Sequence, residues 1–580
     1  MPSLASSVHS LEFDNVTFSY AGSKKPALKN VSLRIKKGES VLIAGPNAAG
    51  KTTLCRCMNG LVPHFFLGDL EGNVIINGIN SKSSRIGQLS QVAGLVFDDP
   101  TSQLVCSSVE DEVAFGAENL GVSREEIDRR VAESLEAVRM RGYERRLPQT
   151  LSGGEQQAVA IASIMVMDPE IFVLDEPTSN LDPIGSMQVL SIIRDLARKE
   201  EKTMIVVSHS IEHFVTLADR IVVMNEGRII LDEDPREVLQ KTEQLLDMGL
   251  SPPDVTTLFS RLRREGIGLA GDKIPVTLEE AYDRLKNMSI VNPSVSKQKA
   301  LSREKRMDVI VRVKGVRFKY PTSDVFALEG IDLEIGKNEF VAIIGQNGSG
   351  KSTLVKHFNG LLKPTEGSLS VFGLDTAETP VWELSKKVGY VFQNPDLQLF
   401  NYTVRNEIDF SLKAIGFPAD KREPVVNAVS KRLNIDQYLD VSPGTLDKGG
   451  RQRVAIASVL AMNPDLLVID EPTTGQDPAN SRQVMNIARE LHSEGKTIVF
   501  ITHNMGIVAE YAERGIIMLQ GRVLFDGPVR QLFQQTDVLK ESYLEAPQIV
   551  RLAQMLRKQG FPSALLTVEE MVQLINENRG

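Results

Sequence analysis

Short, continuous apolar runs recur along the chain between longer segments that have the period of amphipathic helices. In the first half the clearest runs are 40–44, 171–174 and 204–207, and in the second half they are 340–344, 466–469 and 498–501. A strand that is apolar on both faces is typical of a parallel sheet covered by helices on both sides. The pattern therefore predicts an α/β fold with a mostly parallel sheet in each half, whose strand ends converge on one crevice.

The two halves are copies of one another. Tyr20 and Tyr320 are 300 positions apart, as are Lys51 and Lys351, and the spacing falls to 295 between Asp175 and Asp470. Small differences in loop length explain this drift. A repeat of this length indicates a duplicated domain, unlike the short repeats of solenoids.

Each copy ends in a related tail that reads as helix, loop and helix. The tails contain PDVTTLFSRLRREGI from Pro253 and PQIVRLAQMLRKQGF from Pro547. The predicted boundaries are 10–235 for the first domain, 236–290 for its tail, 291–308 for a linker, 309–532 for the second domain and 533–580 for its tail. The tails either extend the cores or form a contact surface between the halves, and their apolar spacing favours the contact surface.

Composition narrows the function without identifying it. The 580 residues are 42% apolar and 24% charged, as in ordinary globular proteins, and the net charge of −9 argues against general binding to nucleic acid. The N-terminus lacks a signal-peptide layout, and no apolar stretch approaches the roughly 20 residues that a membrane helix requires. We expect a cytoplasmic protein that reaches a membrane only through a partner.

A phosphate-binding loop follows the first apolar run of each copy. GPNAAGKT and GQNGSGKS both fit the pattern Gly, four residues, Gly-Lys-Ser/Thr. In such loops the backbone amides surround the phosphates, the lysine reaches the outer phosphates and the hydroxyl ligates Mg2+. The predicted nucleotide-binding residues are Gly45, Pro46, Asn47, Ala48, Ala49, Gly50, Lys51, Thr52 and Thr53, with Gly345, Gln346, Asn347, Gly348, Ser349, Gly350, Lys351, Ser352 and Thr353.

Acidic pairs end a later apolar run in each copy. Asp175 and Glu176 occur in FVLDEP, and Asp470 and Glu471 occur in LVIDEP. The aspartates are predicted to hold Mg2+ together with Thr52 and Ser352, and the glutamates to polarise an attacking water. His209 and His503 end the next strand, and their matched positions favour contact with the γ-phosphate over a purely structural role.

The segment LSGGEQQ, from Leu151 to Gln157, resembles the signature of ABC-type ATPase domains. The resemblance implies two domains that dimerise head to tail, so that each ATP lies between one domain's phosphate loop and the other domain's signature. The residues predicted to bind nucleotide in this segment are Ser152, Gly153, Gly154 and Glu155. Because they precede a helix, their amides form a second anion site.

Three further features resemble the ATPase subunits of energy-coupling-factor (ECF) importers of cobalt and vitamins. They are VFQNPDLQL from Val391, VEDEVAFGAENLG from Val109, and the paired tails. The resemblance implies that Gln393 contacts Mg2+ and the attacking water, and that Tyr20 and Tyr320 stack on adenine. It also implies membrane-embedded partners, a coupling subunit and a substrate-binding subunit, at the cytoplasmic face of the membrane. Acidic residues after the Asp98 and Gln393 loops are candidate docking positions, namely Glu110, Asp111, Glu112, Glu407 and Asp409.

The two copies depart from the family pattern at complementary places. Asp98 stands where the second copy has Gln393, and Asp447 and Lys448 stand where the first copy has Ser152 and Gly153. In a head-to-tail dimer both departures fall on the nucleotide held by Lys51. A carboxylate about 5 Å from a phosphate charge costs about 3 kcal/mol at an effective dielectric constant near 20. We therefore expect the Lys351 site to hydrolyse most of the ATP and the Lys51 site mainly to hold it.

Two alternatives stay open. A soluble twin ATPase acting on ribosomes or nucleic acid also fuses two such domains, but would be favoured by a long charged insert or a metal-binding cysteine cluster, and the three cysteines, Cys55, Cys57 and Cys106, form none. A tandem ATPase of a sugar-type importer is the other, although the paired tails argue against it. The sequence leaves open whether the halves close within one chain or are swapped between two.

Overall fold

The structure is a computed structural model, and it describes residues 8–198, 202–268, 273–290, 308–321 and 323–578. The described chain divides into two compact units. The first contains residues 8–260 and 273–276, and the second contains residues 261–268 and 277–578 apart from the gaps given above.

Two sheets form the first copy. A four-stranded antiparallel sheet has the order β2-β1-β4-β5, and a six-stranded sheet has the order β10-β9-β3-β8-β7-β6. In the second sheet, β9, β3, β8, β7 and β6 are parallel and β10 is an antiparallel edge strand. The strands are β1 (His9–Tyr20), β2 (Leu28–Lys36), β3 (Ser40–Ala44), β4 (Gly68–Ile76), β5 (Ile79–Asn80), β6 (Ala93–Val96), β7 (Ile171–Asp175), β8 (Thr203–Ser208), β9 (Arg220–Asn225) and β10 (Arg228–Glu233).

The second copy repeats this topology. Its sheets have the orders β12-β11-β14-β15 and β16-β17-β18-β13-β19-β20, again with one antiparallel edge strand, β20, in the larger sheet. The strands are β11 (Val309–Lys319), β12 (Phe326–Gly336), β13 (Phe340–Ile344), β14 (Glu366–Val371), β15 (Leu374–Asp375), β16 (Val388–Val391), β17 (Leu466–Asp470), β18 (Thr497–Thr502), β19 (Arg514–Leu519) and β20 (Arg522–Pro528).

Helices cover both faces of the larger sheets. In the first copy and its tail they are α1 (Lys51–Met58), α2 (Leu61–His64), α3 (Ile86–Val92), α4 (Val109–Asn119), α5 (Arg124–Ala137), α6 (Gly153–Met165), α7 (Pro183–Ala197), α8 (Ile211–Phe214), α9 (Pro235–Gln240), α10 (Thr242–Asp247), α11 (Asp254–Arg264) and α12 (Leu278–Leu285). In the second they are α13 (Lys351–Phe358), α14 (Val381–Leu384), α15 (Val404–Ala414), α16 (Ala419–Arg432), α17 (Lys448–Leu460), α18 (Pro478–Ser493), α19 (Met505–Tyr511), α20 (Val529–Leu532), α21 (Thr536–Glu541), α22 (Gln548–Met555) and α23 (Val568–Glu577).

The central strands are apolar throughout because their side chains pack into a hydrophobic core on each face of the sheet. In β7, Ile171 and Val173 point into a core shared with the antiparallel sheet and α1, whereas Phe172 and Leu174 point into the core beneath α4 to α7. The strand β17 divides its side chains between two cores in the same way. Alternate side chains of a strand point to opposite faces, so burial of both faces requires an uninterrupted apolar run.

The predicted fold is confirmed. All six apolar runs are strands of the larger sheets, and β3 and β13 have the predicted bounds. The antiparallel sheets were not predicted, because their exposed faces carry polar residues and their strands lack a continuous apolar run. No helix in the described part of the chain is long and apolar enough to cross a membrane.

Part of the first tail is packed within the second unit. The backbone N–H of Ile290 donates to the carbonyl of Gln559 at 2.8 Å, and the Arg261 guanidinium forms an ion pair with Glu569 at 2.5 Å. The predicted linker, residues 291–308, lies outside the described residues except for Asp308.

Candidate functional site

The phosphate loops connect β3 to α1 and β13 to α13. Gly50 has φ of 97°, and a Cβ at this position would lie 2.6 Å from the carbonyl oxygen of Ala27. Gly350 repeats the feature, with φ of 99° and 2.6 Å to the carbonyl of Ala327. Because only glycine fits both the conformation and the space, the chain can turn directly into the helix. Each helix therefore begins directly at the phosphate loop, and a helix N-terminus favours the binding of an anion.

The loop lysines lie along their own loops. The Nζ of Lys51 donates to the carbonyls of Gly45 and Pro46 at 2.8 and 3.0 Å. In the second copy the Nζ of Lys351 donates to the carbonyl of Gly345 at 2.8 Å and to that of Gln346 at 2.6 Å. Each ammonium group is thus held by carbonyl oxygens of its own loop, and phosphate oxygens would replace these carbonyls when a nucleotide binds.

An acidic pair and a histidine meet at the ends of β7 and β8. Glu176 accepts hydrogen bonds from the backbone N–H of His209 at 3.0 Å, and its other oxygen lies 2.9 Å from Nδ1 of that histidine. The Nζ of Lys51 lies 3.7 Å from Glu176. The structure therefore brings Lys51, Glu176 and His209 together in one cluster.

The second copy has the same cluster at the ends of β17 and β18. Nδ1 of His503 lies 3.1 and 3.2 Å from the two carboxylate oxygens of Glu471. The Thr474 hydroxyl donates to Glu471 at 3.1 Å. Glu471 is therefore fixed by two neighbours.

Electrostatics keeps both glutamates ionised. Burial raises the pKa of the Glu176 carboxyl, but His209 and Lys51 outweigh it and leave the pKa below its ordinary value. The pKa of Glu471 is lowered in the same way, because His503, Lys351 and the Thr474 hydroxyl oppose the effect of burial. A carboxylate that is ionised at neutral pH can accept a proton from a water molecule.

The neighbouring aspartates fit a magnesium site. Asp470 accepts a hydrogen bond from the Ser352 hydroxyl at 3.1 Å, and the Thr52 hydroxyl is hydrogen-bonded to Asp175. Oδ1 of Asp175 is buried and has no hydrogen-bond partner among the described residues. The donor set consists of oxygen atoms, which Mg2+ prefers, and a bound cation would supply the partner that the buried Asp175 oxygen lacks.

The predicted adenine-stacking tyrosines lie beside the phosphate-loop helices. The Tyr20 hydroxyl is 3.0 Å from Oγ1 of Thr53, and the Tyr320 hydroxyl is 3.1 Å from Oγ1 of Thr353. In the first copy, Arg56 also donates to the Tyr20 hydroxyl at 3.0 Å. Both rings are thus attached to the helix that begins at the loop lysine.

Asp98 and Gln393 are exposed at equivalent positions after β6 and β16. The carbonyl of Asp98 accepts a hydrogen bond from the Asn180 amide at 3.2 Å. The Asp98 carboxylate raises the pKa of Asp175, in addition to the larger effect of burial and that of Glu176, to about 7. The first copy therefore concentrates three carboxylates where the second has two and an amide.

The signature segments begin the helices α6 and α17. Ser152 caps α6 and shares a capping box with Glu155, whose carboxylate accepts hydrogen bonds from both the backbone and the hydroxyl of Ser152 at 2.8 Å. In the second copy Asp447 is the cap, and its carboxylate accepts from the N–H of Gly450 at 2.7 Å. Both caps stabilise their helices, and each helix N-terminus carries a carboxylate, that of Glu155 within the first turn of α6 and that of the cap residue Asp447 itself in α17.

Two of the expected docking acids are not on the surface, and this expectation was wrong. Glu112 and Glu407 are buried, with 4% and 2% of their surface exposed. One oxygen of Glu112 accepts from the N–H groups of Val105 and Cys106, both at 2.7 Å. Glu407 similarly accepts from the N–H groups of Phe400 and Asn401 at 2.9 and 2.7 Å. Each glutamate anchors the loop that precedes its helix, because two adjacent amides there need an acceptor.

Glu110 and Asp111 are exposed, as expected for docking positions, whereas Asp409 is half-buried. The Asp409 carboxylate is paired with Lys413 at 2.6 Å and with Arg422 at 3.6 Å. Its charge is therefore largely neutralised within the second unit.

The family described as "ABC transporter" matches residues 28–179 and 328–474, which include both phosphate loops and both acidic pairs. The chain belongs to the ABC transporter family. A relative from Caldanaerobacter subterraneus, named as an ABC transporter ATP-binding protein, is 40% identical over 96% of this chain and 97% of its own length. One from Methanosarcina mazei with the same kind of name is 39% identical over 97% of this chain and 96% of its own.

Among solved structures, that of cbiO1 from Clostridium perfringens, described as part of the ABC transporter complex cbiONQ, is 35% identical. The match covers 43% of this chain and 99% of the cbiO1 chain, with a TM-score of 0.38. The chain is an ABC ATPase with two ATP-binding domains in tandem, and it binds ATP with Mg2+ and hydrolyses it.

Proposed function

We propose that this ABC ATPase is the fused energy subunit of an ECF importer of the cobalt and vitamin type. It would work at the cytoplasmic face of the membrane with a coupling subunit and a substrate-binding subunit. Support for the ECF type comes from the sequence resemblance in VFQNPDLQL, VEDEVAFGAENLG and the paired tails. Closure on two ATP molecules would pull on the membrane subunits, and hydrolysis would reset them.

The observation that carries the proposal is an exposed apolar patch that follows the Asp98 loop in the first copy and the Gln393 loop in the second. In the second copy, Phe400 and Phe410 are 66% and 45% exposed, and their rings contact each other at 4.8 Å. Val105 and Phe115, at the equivalent positions of the first copy, are 68% and 48% exposed. Exposed apolar residues that recur at matched positions indicate a protein interaction site rather than a contact with nucleic acid.

Side-chain hydrogen bonds, including that of the buried Glu407, connect the exposed patch to the loop that is predicted to contact Mg2+. Glu407 fixes the backbone at Phe400, and the Gln398 side chain accepts from the N–H of Phe392 at 3.3 Å and donates to the carbonyl of Ala455 at 2.9 Å. Gln393 follows Phe392 directly. A helix docked on the patch would thus be linked by short contacts to the predicted magnesium-sensing glutamine and to α17.

Within this proposal, the composite site of Lys351, Gln393, Glu471 and His503, closed by Ser152 to Gly154 of the first copy, hydrolyses ATP. Glu471 would take a proton from the attacking water, and His503 would hold the γ-phosphate. Mg2+ bound through Ser352 and Asp470 would neutralise phosphate charge.

The site on Lys51 would mainly hold ATP. Hydrolysis there would be slow, because the carboxylates of Asp98 and Asp447 would repel the negative charge that develops on the phosphate. Glu176 and His209 are both present there, so slow turnover is expected.

Purification from native membranes in mild detergent tests the proposal. The tagged chain should co-purify with a large helical membrane protein and a small one that binds a vitamin or metal ion. Phe400→Asp with Phe410→Asp should remove both partners, whereas Val325→Asp, at an apolar residue that is 74% exposed elsewhere, should not. Ribosomes or nucleic acid in the eluate would support the twin soluble ATPase instead. A pair of permeases with a separate binding protein would support the sugar-type importer.

A further inference from the structure

Tyr390 contacts the carboxylate that the proposed function assigns to Mg2+. It lies in β16, which pairs in parallel with β17, and its side chain is 7% exposed. Its hydroxyl donates a hydrogen bond to Oδ2 of Asp470 at 2.7 Å. The ring packs edge to face on Phe392 with 4.9 Å between centroids, so its position is fixed by the core.

The two oxygens of Asp470 therefore have separate partners. Oδ2 faces Tyr390, and Oδ1 faces the Ser352 hydroxyl at 3.1 Å. A carboxylate held by both oxygens cannot rotate about its terminal bond without losing a hydrogen bond in a buried place. Oδ1 is thereby kept on the side of the phosphate loop, where the cation belongs.

The first copy lacks this contact. Leu95 occupies the position of Tyr390, and it is 5% exposed in the core. Oδ1 of Asp175 is buried without a hydrogen-bond partner among the described residues. The two copies thus differ at a third place, beyond the substitutions at Asp98 and Asp447. This difference lies beside the predicted magnesium-binding aspartate, Asp175 in the first copy and Asp470 in the second.

We infer that Tyr390 is a positioning residue for the magnesium-binding carboxylate of the second copy. The inference rests on the proposed role of Asp470. A buried tyrosine also needs a partner simply because its hydroxyl is polar, and that structural role would not alter metal affinity. Residues that orient a metal ligand typically contribute 10- to 100-fold to metal affinity.

Binding of Mn2+ together with a non-hydrolysable ATP analogue provides the test, with free Mn2+ measured by electron paramagnetic resonance. Tyr390→Phe should weaken one class of Mn2+ sites by about tenfold and leave the other unchanged. In steady-state assays, Tyr390→Phe should raise the Mg2+ concentration that gives half-maximal rate. The fold-change in this concentration should exceed the fold-change in the rate at saturating Mg2+. Tyr390→Leu, which installs the residue of the first copy, should have the same effect.

Two further variants distinguish a failure of the inference about Tyr390 from a failure of the metal role proposed for Asp470. Tyr511→Phe removes another buried tyrosine hydroxyl, which donates to Asn486 at 2.9 Å, and it should leave Mn2+ binding unchanged. Asp470→Asn should weaken binding at least as much as Tyr390→Phe. Wild-type affinity in both Tyr390 variants, with a clear loss in Asp470→Asn, would overturn the inference alone. Wild-type affinity in Asp470→Asn would overturn the metal role of Asp470 in the proposed function.

Discussion

At the scale of single residues, the two site glutamates share an unusual backbone. Glu176 and Glu471 have φ of 46° and 48°, a left-handed conformation that costs a residue with a side chain of order 1–3 kcal/mol. Each is held by a hydrogen bond from its N–H to the neighbouring strand, at the carbonyls of Val207 and Ile501, at 2.8 and 3.0 Å. The conformation turns each glutamate from the strand direction toward its histidine. Strain retained at the same position in both copies supports the function proposed for these glutamates.

Asp175 gives a prediction for pH. Its pKa is raised from 3.8 to about 7, first by burial and then by the nearby Glu176 and Asp98. Because the folded value lies above the unfolded one, the folded protein binds the proton more tightly, and its stability should fall as pH rises from about 4 to about 7. Asp175→Asn removes the buried charge. In EDTA and without nucleotide, it should raise the melting temperature at pH 7.5 more than at pH 5.

The exposed Asp195 provides the control for this measurement, since Asp195→Asn removes a carboxylate that is not buried and should not reproduce the larger rise at pH 7.5. An equal shift at pH 5 and pH 7.5 in Asp175→Asn would show that Asp175 does not titrate in this range.

At the scale of elements, the loop before α15 depends on one carboxylate. Glu407→Ala would leave the N–H groups of Phe400 and Asn401 without an acceptor, at a cost of about 1–3 kcal/mol each. Hydrogen exchange at these two amides should accelerate by about tenfold or more. Asn406→Ala, at the exposed neighbouring position, should leave exchange unchanged. Equal protection in wild type and Glu407→Ala would show that the loop is held by other contacts.

The sequence was most informative where a residue's environment is determined by its neighbours along the chain. Parallel strands could be predicted because burial of both faces requires an unbroken apolar run, and the phosphate loops because glycine is needed at a fixed place. Glu112 and Glu407 were mistaken for surface acids because acids near the start of a helix are usually solvated. One signal was available, since glutamate recurs there while Glu110 and Asp111 change to Arg405 and Asn406.

Tyr390 could not be found from the sequence. A strand aromatic is normally a core residue, and its contact with Asp470 depends on the register between β16 and β17. That register is a tertiary property, and no local pattern specifies it.

At the scale of the whole molecule, we expect the two ATP sites to hydrolyse ATP at unequal rates. The carboxylates of Asp98 and Asp447 would both act on the nucleotide of the Lys51 site. Replacing them with the residues of the other copy, through Asp98→Gln, Asp447→Ser and Lys448→Gly, should repair that site. The rate of ATP hydrolysis should rise by up to about twofold, because a second site of equal rate would then contribute. An unchanged or lower rate in a folded triple variant would show that these positions do not limit the Lys51 site.

Steady-state ATP hydrolysis by two matched variants, Glu471→Gln and Glu176→Gln, tests the inequality most directly. Each substitution removes one proposed proton acceptor and keeps the size of the side chain. Loss of such a group typically costs 10²–10⁴ in rate. We expect Glu471→Gln to lower turnover by at least about a hundredfold and Glu176→Gln to retain about half of the wild-type turnover or more. Equal losses in the two variants would contradict this expectation.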